Sequence, residues 1–115
     1  MNIKDTNLTI KVKDMEASIA FYQSIGFTVK ERWGNHYAQL TAPGIVIGLH
    51  PSERSASEVG SGNVSIGFTS DNFEQIKSHL KESGITVAER QEEGGDFLHF
   101  TDPDGTKLYF IKPKW

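Results

Sequence analysis

The sequence predicts an α+β fold of two consecutive βαβββ modules whose sheets curl around a shared cleft. Three observations point to it. The first is alternation: most apolar runs step by two residues, as in Leu8, Ile10 and Val12 or Val64, Ile66 and Phe68, which is the period of a half-buried strand. The second is a restart. After residues 51–62, which hold four serines, two glycines and a proline, the strand–helix–strand pattern begins again. The third is the closing stretch Phe97–Phe110, two alternating segments joined at Asp102-Pro103-Asp104-Gly105. There Pro103 fixes φ, the two aspartates can bond their own backbone, and Gly105 allows a permissive φ.

Each element follows from local chemistry. Asn7–Lys13 alternates and reads as a strand. Asp14 is placed to cap a helix whose apolar stripe is Met15, Ile19 and Tyr22, and Gly26 ends it. Strands follow at Phe27–Arg32, at His36–Leu40 and, beyond the Pro43-Gly44 turn, at Ile45–His50. In the second half Asn63–Phe68 reads as a strand, and Asp71 with Glu74 three residues on resembles a capping box. Phe73, Ile76 and Leu80 form the helix stripe and Gly84 closes it. Strands at Thr86–Arg90, Phe97–Thr101 and Thr106–Lys112 complete the chain. Ser24-Ile25-Gly26-Phe27-Thr28-Val29 matches Glu82-Ser83-Gly84-Ile85-Thr86-Val87, a local sign of duplication. The expected organisation is a first module at 1–50, a linker at 51–62 and a second module at 63–115, together one structural domain. One such unit covers its sheet only on the helix side; two placed edge to edge would enclose a common concave face.

Composition narrows the function. The 115 residues are 37% hydrophobic and 23% charged, an ordinary balance for a globular protein. A net charge of −3 and the lack of a basic stripe argue against a nucleic-acid partner. No run approaches the length of a membrane span and no signal-peptide profile opens the chain, so the expectation is a cytoplasmic protein with no membrane partner. Without cysteine there is no disulfide framework, thiolate metal site or cysteine nucleophile.

Asn7-Leu-Thr-Ile-Lys-Val-Lys-Asp-Met-Glu-Ala-Ser-Ile-Ala-Phe-Tyr22 with Gly26-Phe27, the restart at Asn63, and Phe100-Thr-Asp-Pro-Asp-Gly105 followed by a strand together resemble the vicinal oxygen chelate superfamily. That superfamily includes glyoxalase I, bleomycin resistance proteins, fosfomycin resistance enzymes and extradiol dioxygenases. The resemblance implies the glyoxalase/bleomycin resistance/dioxygenase fold and a homodimer. It also implies where a divalent metal is held in the members that are enzymes: a histidine at the position of Asn7, a second at Asn63 and a glutamate at Tyr109, with Gly48 equivalent to Tyr109 in the first module. A Lewis-acidic metal needs imidazole or carboxylate donors at roughly 2.0–2.2 Å. Asn offers a weak neutral oxygen, and a phenol must first lose its proton. The residues present therefore predict no metal and no cofactor.

Four histidines remain. His36 and His79 have surface phases, whereas His50 and His99 share the cleft phase with Gly48 and Tyr109. His99 is the candidate catalytic group, as a hydrogen-bonding or proton-carrying imidazole, with a packed structural histidine beside Gln39 as the alternative. Trp33, Tyr37, Phe97 and Tyr109 would place aromatic surface along the cleft. Asn7, Gln39, His50, Asn63 and His99 would orient a ligand's polar groups. The alternative is that the rings fill the groove or pack a dimer. Glu53, Arg54 and Glu58 in the linker read as solvated charges or part of a lid. The leading expectation is thus a binding protein of the bleomycin-resistance type, holding a small aromatic or heterocyclic molecule in a metal-free cleft and sequestering it. A second is a diverged glyoxalase-like lyase or isomerase, or a dioxygenase-like enzyme, with a non-standard site around His50 and His99. A third is a closed cleft acting through protein partners.

Overall fold

The computed structural model describes residues 1–52, 62 and 64–114. The element order is β1 (Leu8–Val12), α1 (Met15–Ser24), β2 (Thr28–Trp33), β3 (Tyr37–Ala42), β4 (Ile45–Pro51), β5 (Ser65–Thr69), α2 (Phe73–Glu82), β6 (Ala88–Glu92), β7 (Gly95–Thr101) and β8 (Lys107–Pro113). This is βαβββ twice, the expected α+β architecture. One sheet has the order β1-β4-β3-β2 and the other β5-β8-β7-β6. In each, the first strand pairs parallel to the last and the remaining pairs are antiparallel. The chain divides into two compact units. Met1–Gly60 forms one together with the turn Asp102–Gly105, and Ser61–Thr101 forms the other with Thr106–Trp115.

In the first unit α1 starts where the sequence places it. The Asp14 side chain accepts from the Ala17 N–H at 3.1 Å, capping the first turn. Met15, Ile19 and Tyr22 are buried, and so are Ile10, Val12, Ala38, Leu40, Ile47 and Leu49 from the strands. Tyr22 also takes edge-to-face contacts from Phe21 and Phe27, each with centroids 5.3 Å apart. Its hydroxyl donates to Asp102 Oδ2 at 2.7 Å in a buried bond. The same turn is closed by the Gly105 N–H on Asp102 O and the Asp104 N–H on Asp102 Oδ1. Asp104 in turn accepts from the Lys13 N–H at 3.2 Å and from the Ser18 hydroxyl at 3.5 Å. The aspartates thus do more than shape their own turn: Asp104 binds the start of α1 through Lys13 and Ser18, and Asp102 binds its last turn through Tyr22.

In the second unit Leu98, Phe100, Leu108 and Phe110 are buried with Ile66, Phe73 and Leu80, as their phase requires. Phe110 packs against Phe68 and Phe100, with centroids 5.1 and 5.9 Å away. Lys77 joins α2 to β6 through Glu89 at 2.8 Å and reaches Glu74 at 3.2 Å. The Glu89 and Glu74 bonds raise its ammonium pKa.

Three sequence expectations need correction. The capping box at Asp71 does not form, because α2 begins one residue later with Asn72 at the cap and no side-chain cap bond. Phe73 opens the buried stripe, which leaves Glu74 free to pair with Lys77 instead. Val64 lies outside β5 and is 46% exposed, so the buried face starts at Ile66. The strand expected at Thr86–Arg90 runs Ala88–Glu92, an edge strand exposed throughout whose charged residues discourage further pairing. The other strands shift by one or two residues at their ends. Glu53, Arg54, Glu58 and Asn63 lie outside the described residues.

Two predictions concern the turn. Tyr22→Phe removes a charge-assisted bond to a carboxylate that is 3% exposed, and is expected to cost about 2 kcal/mol in urea unfolding followed by circular dichroism. For Asp104, burial pushes the carboxyl above its usual range; the Asp102 charge adds to the rise, and the Lys13 N–H bond opposes it. A folded-state pKa above the unfolded one gives stability that is full below the ordinary aspartate value of about 3.9 and fades as pH rises through the folded value. Asp104→Asn keeps an acceptor for Lys13 and Ser18 without the charge. Melting curves should show it more stable than the parent at pH 7, with the difference shrinking toward pH 3.5.

Candidate functional site

Alternation gives each sheet a second face, and the candidate ligand groups lie on it. In the first unit Tyr37 and Gln39 oppose the buried Ala38 and Leu40 on β3. Trp33, paired with Tyr37 across β2 and β3, stacks on it with centroids 5.6 Å apart and 27° between planes, and is 51% exposed. Tyr37 reaches diagonally over Gly48: a Cβ built there would lie 2.9 Å from ring atoms Cε1 and Cζ. Gln39 Nε2 donates weakly to the Tyr37 hydroxyl at 3.4 Å. His50 is exposed at the end of this face, paired in register with Lys11. Its Nδ1 lies 2.8 Å from the Pro51 carbonyl oxygen and 3.3 Å from Lys11 Nζ. One ring nitrogen cannot donate to the carbonyl and accept from the ammonium at once, and the shorter contact favours donation. Asn7 precedes β1 and is exposed.

The second unit carries the denser cluster. Phe97 and His99 stand two residues apart on β7 with nearly parallel rings, 5° between planes and 5.4 Å between centroids. Tyr109 on β8 pairs with His99 and tilts toward both rings, at 5.9 Å from His99 and 5.5 Å from Phe97. On its other side Tyr109 pairs with Gly67, and its ring fills the place of the missing side chain. A Cβ at Gly67 would lie 2.5 Å from Cε2 of that ring. His99 Nε2 is buried and makes no hydrogen bond; Glu92 Oε1 lies 3.7 Å away, near enough to pair with a protonated ring but too far for a hydrogen bond.

An open pocket of about 410 Å³ lies against this face, lined by Ser65, His99, Phe100, Thr101, Lys107, Leu108 and Tyr109. Of the expected ligand residues it brings together His99 and Tyr109. Phe97 backs His99 and does not line the pocket. Trp33, Tyr37, Gln39 and His50 belong to the first unit. Sequence reasoning passed over Ser65, Thr101 and Lys107 as site residues, although each has the phase of His99 and Tyr109. That shared two-residue step was the available signal.

The registers also test the donor positions that the resemblance supplies. Thr9 and Gln39 both pair with Gly48, as Gly67 and His99 both pair with Tyr109, so Gly48 and Tyr109 are equivalent within their sheets. One position has no side chain and the other has a phenol ring packed over a glycine. Among the described residues no three His, Cys, Asp or Glu side chains gather where they could hold a metal ion. An exposed amide at Asn7 and the packed phenol of Tyr109 do not fit a divalent cation.

A sequence model of the Glyoxalase/Bleomycin resistance protein/Dioxygenase superfamily matches residues 6–110. The chain is 28% identical over 107 residues to a glutathione transferase, FosA, of Serratia marcescens, covering 89% of this chain and 75% of that one. It is 26% identical over 117 residues to a metallothiol transferase, FosB, of Lysinibacillus sphaericus (strain C3-41), covering 96% and 83%. The fold matches a crystal structure of a bleomycin-binding protein in complex with bleomycin at a TM-score of 0.72 and 20% identity, over 97% of this chain and 100% of that one. No helix among the described residues is long and apolar enough to cross a membrane.

The packing of Tyr109 over Gly67 predicts a measurable coupling. Gly67→Ala should destabilise the parent by about 1–3 kcal/mol, because a methyl group must displace the ring. In a Tyr109→Ala background the same change should cost close to nothing. A double-mutant cycle in urea is expected to return a coupling of about 1 kcal/mol or more between the two positions.

Proposed function

We propose, for a chain that belongs to the Glyoxalase/Bleomycin resistance protein/Dioxygenase superfamily, a role as a metal-independent binding protein for a small aromatic or heterocyclic molecule. In this reading the protein is a cytoplasmic homodimer of the resistance type, which acts by sequestering its ligand. The observation that carries it is the pocket of about 410 Å³ beside the Phe97–His99–Tyr109 ring cluster. Its volume falls in the range of roughly 300–1,000 Å³ common to small-molecule sites. Sequestration needs a preformed surface and no reacting group. The likeness to a bleomycin-binding protein supports the reading at the level of fold.

One observation favours a second reading, a diverged enzyme. His99 Nε2 is buried without a hydrogen bond and has the Glu92 carboxylate 3.7 Å away, an arrangement suited to passing a proton. The similarity to a glutathione transferase supplies a substrate to try.

Titration calorimetry separates the two. EDTA-treated protein is expected to bind at least one planar heteroaromatic compound from a panel that includes metal-free bleomycin, saturably and unchanged by added divalent metal. Tyr109→Ala should weaken that binding about tenfold, the scale of one lost ring contact. Binding that appears only after metal is added, or conjugation of glutathione to the ligand, would overturn the sequestration reading.

A further inference from the structure

From the pairing of β5, β8 and β7 we infer that the pocket of the second unit selects aromatic acids: planar rings bearing a carboxylate or a comparable anionic group. The inference rests on the binding role proposed above and names the chemistry of that site. The register arranges the lining in two adjacent rows. Ser65, Lys107 and Thr101 lie side by side on β5, β8 and β7. Two residues further along the same strands lie Gly67, Tyr109 and His99. The first row offers an ammonium flanked by two hydroxyls, a set of hydrogen-bond donors for an anion. The second offers ring surface with no side chain beyond it on the β5 side.

The two rows are two residues apart along the strands, about 7 Å, close to the sum of about 5 Å from the middle of a bicyclic acid to its carboxylate oxygens and a charge-assisted hydrogen bond of about 2.8 Å. Phe97 stands behind His99 with its plane nearly parallel, so a ring resting on the other side of the imidazole would extend an existing stack. The charge balance of the lining is the opposite of the whole chain's. The protein carries a net −3, yet among the described residues lining the pocket Lys107 is the only permanently charged one and no carboxylate is present. Lys107 Nζ donates to the Gly62 carbonyl at 2.9 Å, which holds the ammonium near the Ser65 end of the sheet. Glu92, whose carboxylate lies 3.7 Å from His99 Nε2, does not line the pocket.

The test uses three probes of one shape and different charge: a naphthoate, its carboxamide and the corresponding aminomethyl compound. Each is titrated into wild-type protein by calorimetry at low salt. The naphthoate is expected to bind about tenfold or more tighter than the carboxamide, as one charge-assisted contact provides, with the amine weakest. Lys107→Met should bring the naphthoate to the level of the carboxamide, while Tyr109→Leu should weaken both by a similar factor. A carboxamide or amine that binds as tightly as the acid overturns the inference and leaves the binding role standing. An acid preference that survives Lys107→Met overturns the assignment to the Ser65–Lys107–Thr101 row. No saturable binding of any probe removes the binding role itself for this class of ligand.

Discussion

Side chains alternate along a strand, and here one helix per unit covers one face of one sheet. That constraint settles most of what the rest of the structure does. Once Leu40, Ile47 and Leu49 are committed to the core of the first unit, Gln39, Gly48 and His50 have no choice of face. Leu98, Phe100, Leu108 and Phe110 do the same in the second unit for Phe97, His99, Lys107 and Tyr109. A slip of one residue in register would exchange the two sets and place an imidazole, a phenol and an ammonium under a helix. Each buried aliphatic or aromatic side chain contributes about 1.5–3 kcal/mol relative to exposure, and several residues enforce each register together. The chemistry of the open face is therefore fixed by residues that never reach it.

What the open face does with its side chains differs between the units. In the first, Tyr37 leans across β4 and covers Gly48, and Trp33 stacks on its outer surface. In the second, Tyr109 covers Gly67 directly across the ladder, and Phe97 and His99 form a parallel pair beside it. Both use a strand glycine with an ordinary backbone conformation, so the glycine is needed for space and not for φ. The pocket against Ser65, Lys107 and His99 forms in the second unit, where the central strand also carries a cation.

The sequence displayed the phases well and the third dimension poorly. Leu98 and Phe100 against Phe97 and His99 could be sorted by counting alone, and so could the Met15, Ile19 and Tyr22 stripe that α1 buries. The Asp14 cap followed from a single side chain beside a clear apolar run. The Asp71 cap did not form, because the buried Phe73 and not the nearest acid fixes where α2 begins. The role of Asp102 was half visible. Its turn was evident in Asp-Pro-Asp-Gly, but the bond from Tyr22, eighty residues earlier in the chain, has no local signature. Phe97 shows the limit most clearly. Its phase is that of the open face, yet the pocket lies along β7 on the far side of His99, and where along a strand a pocket opens is not contained in a two-residue period.

Tyr109 joins these threads. A glutamate at that position, as the family's metal-binding members have, would extend a carboxylate away from the sheet and leave the backbone at Gly67 uncovered. The phenol ring instead lies over Gly67, and any side chain at 67 would collide with it. The ring at 109 and the absence of a side chain at 67 are thus a single steric arrangement spread over two strands. Placing a carboxylate at 109 alone would remove the ring from Gly67 and from contact with His99 and Phe97 without supplying the further imidazole or carboxylate donors that a metal needs. The face is thus built on a ring-over-glycine contact on the β5 side of Tyr109 and on ring contacts with His99 and Phe97 on its β7 side.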